Sequence, residues 1–276
     1  MYSFIEFLKA VIIGIVEGIT EWLPVSSTGH MLLLDRLMPI NLSDQFYDLF
    51  IVVIQLGAIL AVPILYFEKL NPFSRKKSRE ECSRTLSLWG KVIVGVLPAA
   101  VMGLLFDDII EEKLFSHTVV AIALVVYGVL FIAVELLRGR SNKPYRVNSV
   151  YDLTLRDCLT IGAFQVLSLI PGTSRSGSTI LGGIMSGVSR SASAEFSFFM
   201  AIPVMLGASL LKIVKFIAGG FAVSGFELAI LFVGIFTSFI VSVVAIRFLT
   251  GFVKRHSFSS FGVYRIVLGI LVLAFL

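Results

Sequence analysis

Apolar residues along the chain gather into ten stretches, at roughly 3–23, 27–40, 46–66, 88–106, 118–137, 157–170, 177–189, 196–218, 226–249 and 258–276. A helix needs about 20 apolar residues to cross a ~30 Å hydrocarbon core. The third, fourth, fifth, eighth, ninth and tenth stretches meet that length and are expected to be six transmembrane spans. The other four are short, or broken by Pro, Gly and Ser, and they pair off around two polar turns. Each pair reads as a re-entrant helix hairpin. Broken backbone at membrane depth is tolerated only where protein or water surrounds it, so such hairpins mark a site.

The pattern occurs twice. GIVEGITEWLPVSSTG (14–29) matches GAFQVLSLIPGTSRSG (162–177), QFYDLFIVVIQLGAIL (45–60) matches EFSFFMAIPVMLGASL (195–210), and VGVLPAAVMG (94–103) matches VGIFTSFIVS (233–242). Each half, 1–140 and 150–276, holds one hairpin and three crossings. Three is odd, so the second half enters from the opposite face. That is an inverted-topology repeat, whose sites lie where broken helices meet near the midplane. The expected fold is an all-α polytopic membrane protein, one domain over 1–276.

Composition agrees. Of 276 residues, 57% are hydrophobic and 15% charged, against about 25% charged in soluble domains. The net charge of +5 is no nucleic-acid signal, because the basic residues sit in the loops 67–87, 138–156 and 250–257. The 107–113 segment, read as a loop, carries Asp107, Asp108, Glu111 and Glu112. The positive-inside rule then places the basic loops in the cytoplasm and both termini outside. The first stretch lacks a basic n-region and is expected to be retained rather than cleaved. Cys82 and Cys158 lie in or beside the basic loops and are expected to be reduced thiols.

In the first hairpin, Glu17 and Glu21 share one helical face within an apolar stretch. Two buried carboxylates suit a hard divalent cation, Mg²⁺ or Ca²⁺, or a proton relay; a helix lying at the interface with both acids solvated is the alternative. Pro24 ends the helix, and Ser26, Ser27, Thr28 and Gly29 lead into the next, with Ser26 or Ser27 as candidate N-cap. Ser27 and His30 are three apart, a spacing that could join a hydroxyl nucleophile to an imidazole base.

The second hairpin reads Pro171-Gly172-Thr173-Ser174-Arg175-Ser176-Gly177-Ser178-Thr179. Loop amides at a helix N-terminus bind oxyanions, and the arginine fork suits phosphate. The alternative is a simple Gly/Ser turn with Arg175 snorkelling to the surface. An acidic, histidine-bearing hairpin facing an anion cradle favours phosphoryl chemistry. Gln165 occupies the repeat position of Glu17. Glu135 and Arg138 read as an i,i+3 surface pair, Asp48 and Glu195 as helix-end groups. Arg265 has no evident partner in sequence.

EGITEWLPVSSTGH and PGTSRSGST resemble the two signature motifs of bacterial undecaprenyl-diphosphate phosphatases of the bacitracin-resistance type. The likeness runs through QFYDLFIVVIQLGA, SRSASAEFSFFMAIPVMLGA and FGVYRIVLG. It implies a multi-pass enzyme of the bacterial cytoplasmic membrane. Its site faces the outer side, and it removes one phosphate from a polyprenyl diphosphate to regenerate the lipid carrier of cell-wall synthesis. It also implies a divalent cation, and functional positions at Glu17, Glu21, Ser27, His30, Ser174, Arg175, Ser176 and Thr179. With Glu17 and Glu21 on the metal or positioning water, and Arg175 and the 172–177 amides on the diphosphate (Ser26, Thr28, Gly172, Thr173 and Gly177 alongside), Ser27 is the first choice of nucleophile, with His30 as its base or as the acid for the leaving group; the competing scheme has water attack, with Glu21 or His30 as base. The rival reading is a transporter or flippase for a polyprenyl phosphate. Membrane lipids are the expected surroundings, and a homodimer stands as a candidate assembly.

Overall fold

The computed structural model describes residues 2–141 and 144–276. The helices are α1 (Tyr2–Thr20), α2 (Ser27–Leu37), α3 (Asp44–Leu65), α4 (Phe67–Leu70), α5 (Arg79–Leu114), α6 (His117–Ser141), α7 (Leu155–Val166), α8 (Arg175–Met185), α9 (Arg190–Ala218), α10 (Gly225–Phe252) and α11 (Ser259–Phe275). No β-strand occurs among the described residues. The chain is an all-α membrane protein, as its hydropathy implies.

Five helices are long and apolar enough to span: α3, residues 79–106 of α5, α6, α9 and α10. The sixth expected span is α11, with 17 residues, or about 26 Å at 1.5 Å per residue. The acidic 107–113 segment is not a loop. It is helical, because α5 continues to Leu114, and Glu, Lys and Leu are good helix formers whether or not lipid surrounds them. The side chains of Asp107, Asp108 and Glu111, and the whole of Lys143, lie outside the described residues. Helix starts follow local chemistry. Ser78 with Glu81, Thr154 with Asp157, and Ser224 with Glu227 form capping boxes, each satisfying otherwise orphaned amides.

The two halves grip each other. α1 lies on α10 and α7 lies on α5, while α6 pairs with α11 and α3 with α9. In lipid no hydrophobic force drives helices together, so close backbone approach through small residues does the work. A Cβ added at Gly14 would fall 2.9 Å from the Gly234 carbonyl, and one at Gly162 would fall 2.3 Å from that of Gly95. Gly14 and Gly162 are repeat partners, as are Gly95 and Gly234. At the α6–α11 seam, Gly128 and Gly262 face each other's carbonyls. The helix-end acids also cross over. Asp48 at the start of α3 meets Lys212 near the end of α9 at 3.7 Å, and Glu195 at the start of α9 meets Lys69 beyond α3 at 2.7 Å.

Glu135 does not pair with Arg138. Its side chain is buried and takes the fork of Arg190, with Nε–Oε1 at 2.9 Å and Nη2 on Oε2, while the Phe258 amide donates to Oε1 at 3.1 Å. A planar guanidinium from α9 matches both carboxylate oxygens, which a same-helix neighbour does less well. Arg138 instead lies over the Tyr145 ring. Cys82 and Cys158 are free thiols.

Candidate active site

Both hairpins have the same build. α1 ends at Thr20, yet the Glu21 amide still bonds the Glu17 carbonyl at 3.0 Å, so the two acids stay on one face. After Pro24 the chain reverses and α2 starts at Ser27, capped by Ser26, whose hydroxyl accepts from the Gly29 amide. In the second hairpin Ser174 caps α8 and accepts from the Gly177 amide at 3.2 Å. Ser26 and Ser174 are the only non-glycine residues with positive φ among those described, at 72° and 73°. That region costs an L-residue about 1–3 kcal/mol and persists where surroundings over-determine it.

What over-determines these turns is Arg265, fully buried in α11. Its Nη1 donates to the Pro24 carbonyl at 3.2 Å, and its Nη2 donates to the Gly172 and Thr173 carbonyls at 2.9 and 2.8 Å. One guanidinium therefore ties both turns together. Gly172, at φ +90°, presses on α6; a Cβ there would meet the Val120 carbonyl at 2.5 Å.

Across the seam, Arg175 reaches Glu21, with Nη2–Oε1 at 3.0 Å and Nε–Oε1 at 3.3 Å. Both side chains are about nine-tenths buried. Neither the solvated interfacial acids nor the snorkelling arginine describes them. Arg175 Nη1 also donates to the Ser197 carbonyl at 2.9 Å, and its guanidinium lies over the Trp22 ring. Ser176 donates to the Glu21 and Leu23 carbonyls at 3.1 and 3.3 Å, stitching α8 to the end of α1. Thr179 is 2.7 Å from the Ser197 hydroxyl and also bonds the Arg175 carbonyl. Ser27 donates to Glu21 Oε2 at 3.4 Å. Thr28 is half-buried in the first turn of α2.

His30 is placed otherwise than its spacing suggested. Its Nδ1 bonds the Ser26 carbonyl at 2.7 Å and its Nε2 meets the Tyr264 hydroxyl at 2.7 Å. Both ring nitrogens are thus engaged away from Ser27, because the i−4 carbonyl competes for a side chain one helical turn on. The cradle is also narrower than expected. The Thr173 and Gly177 amides are spent on the Ile170 carbonyl and the Ser174 hydroxyl. The amides of Ser174, Arg175 and Ser176 then form the start of α8, ahead of the first intrahelical bond from Ser178 to Ser174. Thr173 is buried with its hydroxyl lacking a partner.

Glu17 is fully buried, and neither carboxylate oxygen has a hydrogen-bond partner. A lone buried carboxylate is costly unless it is protonated or meets a cation. Glu21 keeps Oε2 turned from Arg175 with only the long Ser27 contact. An all-oxygen pair of this kind fits a hard divalent ion. No group of three His, Cys, Asp or Glu occurs among the described residues. Remaining positions would fall to water or phosphate oxygens, as Mg²⁺ prefers.

Sequence reasoning missed Ser197, Tyr264 and Trp22, and left Arg265 without a partner. A serine within an apolar span, and a Tyr-Arg pair inside the last one, were the signals available.

Fold and site together define a polytopic α-helical membrane protein with a polar site, an Arg175–Glu21 pair at its centre, buried between two broken hairpins. The chain belongs to the family described as bacitracin resistance protein BacA, which matches residues 10–271. It is 53% identical to undecaprenyl-diphosphatase 1 of Clostridioides difficile (strain 630) over 99% of this chain and 97% of that one. It is 55% identical to the undecaprenyl-diphosphatase of Acetivibrio thermocellus over 98% of both chains. With the undecaprenyl-diphosphatase of Enterococcus faecalis (strain ATCC 700802 / V583) the identity is 51%, over 99% and 98%.

Proposed function

We propose that this protein is a membrane phosphatase that hydrolyses undecaprenyl diphosphate to undecaprenyl phosphate and inorganic phosphate, recycling the lipid carrier of cell-wall synthesis. The observation that carries the reading is the buried Glu21–Arg175 pair joining the two hairpins at the start of α8. Relatives that match nearly end to end and bear the name undecaprenyl-diphosphatase support it.

In this scheme the Arg175 fork and the first-turn amides of α8 hold the diphosphate and offset charge on the transferred phosphoryl. Ser27 attacks the terminal phosphorus while Glu21, its hydrogen-bond acceptor, takes its proton; the phosphoanhydride bond breaks, undecaprenyl phosphate leaves, and water then hydrolyses the phosphoryl-Ser27 to inorganic phosphate. Direct attack by water with Glu21 as base is the competing route. Trapping a phosphoryl-Ser27, or finding near-normal turnover in Ser27→Ala, separates the two. Glu17 and Glu21 would hold the divalent cation, which when bound supplies Lewis-acid charge neutralisation at the phosphate.

The basic loops lie in the cytoplasm and both termini outside, so the first hairpin enters from the outer face and the second from the inner. The two halves form an inverted repeat. Its support is the exchanged glycine contacts and the matching positive-φ serines. That same mirrored scaffold favours a second reading, movement of the lipid phosphate across the membrane.

The test is phosphate release from undecaprenyl diphosphate by purified protein in detergent. Release that is lost with EDTA, and lost in Glu21→Ala and Arg175→Ala, is expected. Vesicle-dependent lipid movement with no release would replace the phosphatase by the transporter, and release unaffected by EDTA would remove the metal.

A further inference from the structure

The His30 ring has two partners that between them fix its proton. The Ser26 carbonyl can only accept, so Nδ1 carries the hydrogen. In the neutral ring Nε2 then bears the lone pair, and the Tyr264 hydroxyl donates to it at 2.7 Å. The two rings also lie nearly parallel, 12° apart with centroids at 5.6 Å.

The other half carries the same chain of contacts. Ser178, the repeat partner of His30, donates to the carbonyl of Ser174 at 3.0 Å, and Ser174 is the repeat partner of Ser26. The Tyr127 side chain, from α6, approaches Ser178, while Tyr264, from α11, bonds His30. In both halves a side chain one turn on, with a tyrosine of the α6–α11 pair beside it, holds the carbonyl of a serine at φ near 72°. In the second half the middle member is a hydroxyl, which cannot act as a base near pH 7. The shared task of the arrangement is therefore to hold the turn.

We infer that Tyr264 is a positioning residue of the phosphatase site: its hydroxyl holds the rotamer of His30 through Nε2, and the His30 Nδ1–H clamps the Ser26 carbonyl and thereby places the Ser27 hydroxyl against Glu21. His30 serves the reaction through this clamp and not as the base for Ser27. The inference rests on the phosphatase reading for its catalytic consequence, but its geometric part can be read without turnover.

The experiment has two arms. In the first, ¹⁵N spectra of histidine-labelled protein are recorded for the wild type and Tyr264→Phe. The protein has three histidines, and His30→Asn identifies the His30 signal. A protonated Nδ1 with a bare Nε2, and an Nε2 resonance that moves in Tyr264→Phe, is expected. A protonated Nε2, or no response to Tyr264→Phe, overturns the inference whatever the enzyme does. In the second, kcat and KM are measured. Tyr264→Phe keeps the ring contact and loses only the hydroxyl; kcat about tenfold lower with KM within about twofold is expected, the size of one strong hydrogen bond. An asparagine amide can reach the Nδ1 position, so His30→Asn should keep at least about tenfold more kcat than His30→Ala. Equal inactivity of the two, or an unchanged kcat in Tyr264→Phe, rejects the clamp. Absence of phosphate release in the wild type would sink the phosphatase reading and leave the first arm standing.

Discussion

Replacing Arg265 tests how the two hairpins are held together. Its guanidinium donates to three buried carbonyls, two on one turn and one on the other, at 2.8–3.2 Å. A hydrogen bond from a charged donor contributes about 1.5–3 kcal/mol. Three at the lower bound give roughly 4.5 kcal/mol, a large part of the 5–15 kcal/mol that holds a typical domain together. Arg265→Ala is therefore expected to accumulate poorly. Arg265→Lys is the informative variant. An ammonium keeps the charge but cannot span both turns with a fork. The Gly172 and Thr173 carbonyls share one nitrogen in the wild type and can share the lysine nitrogen, which leaves the Pro24 carbonyl unpartnered. The expected loss is one bond plus the cost of an orphaned acceptor, about 2–4 kcal/mol. Unfolding by graded SDS in mixed micelles measures it, and phosphate release measures the effect on the site, where kcat should fall along with stability. Stability within about 0.5 kcal/mol of wild type with normal kcat would refute the view that this arginine binds the turns.

The remaining expectations concern charge. Glu17→Gln removes a buried carboxylate that has no hydrogen-bond partner; in EDTA its thermal midpoint should rise by about 2 °C, for roughly 1 kcal/mol relieved. Mg²⁺ should raise the midpoint of the wild type and not that of this variant, and an equal Mg²⁺ shift in both proteins would remove Glu17 as a ligand. Arg175→Lys keeps charge but loses the fork on Glu21 and, in the proposed scheme, on the phosphate, so kcat should drop by about 10²-fold or more; a loss of under about fivefold would show that a point charge suffices. Burial pushes the Asp157 carboxyl up, but hydrogen bonds from Arg146 and Thr154 outweigh it and hold the group below the usual carboxylate range. A lowered folded value gives stability that is present above the unfolded value, about 3.9, and fades as pH falls through the folded one. Asp157→Asn should therefore be less stable at pH 7 and lose less on acidification, read by melting curves from pH 7 to pH 3.

The hairpins were legible because their ends are written in local chemistry. Proline stops α1, and serines begin α2 and α8 where the hydroxyl pattern places them. Glu17, Glu21 and Arg175 stood out because ionised groups in apolar stretches need a reason. What local spacing could not convey was direction and partnership across the fold. His30 and Ser27 are neighbours on a helical turn, yet the ring prefers the carbonyl behind it. Glu135 had a plausible partner three residues away and took a better one from α9. The three carbonyls that Arg265 binds lie far from it in sequence and carry no side-chain signal. The acidic end of α5 misled because charge marks where a helix leaves lipid, not where it stops being a helix.

The crossed packing of the halves bears on how the protein is made. α1 carries Glu17 into the membrane long before the helix it rests on, α10, is made, since that helix starts only at Gly225. At 5–20 residues per second the wait is roughly 10–40 s. The fastener of the first turn, Arg265, arrives later still. During that interval the first hairpin is an unfinished half of a clasp, with an acid and a broken backbone facing lipid or the insertion machinery. The first hairpin cannot mature on its own; helices made much later close what it opened.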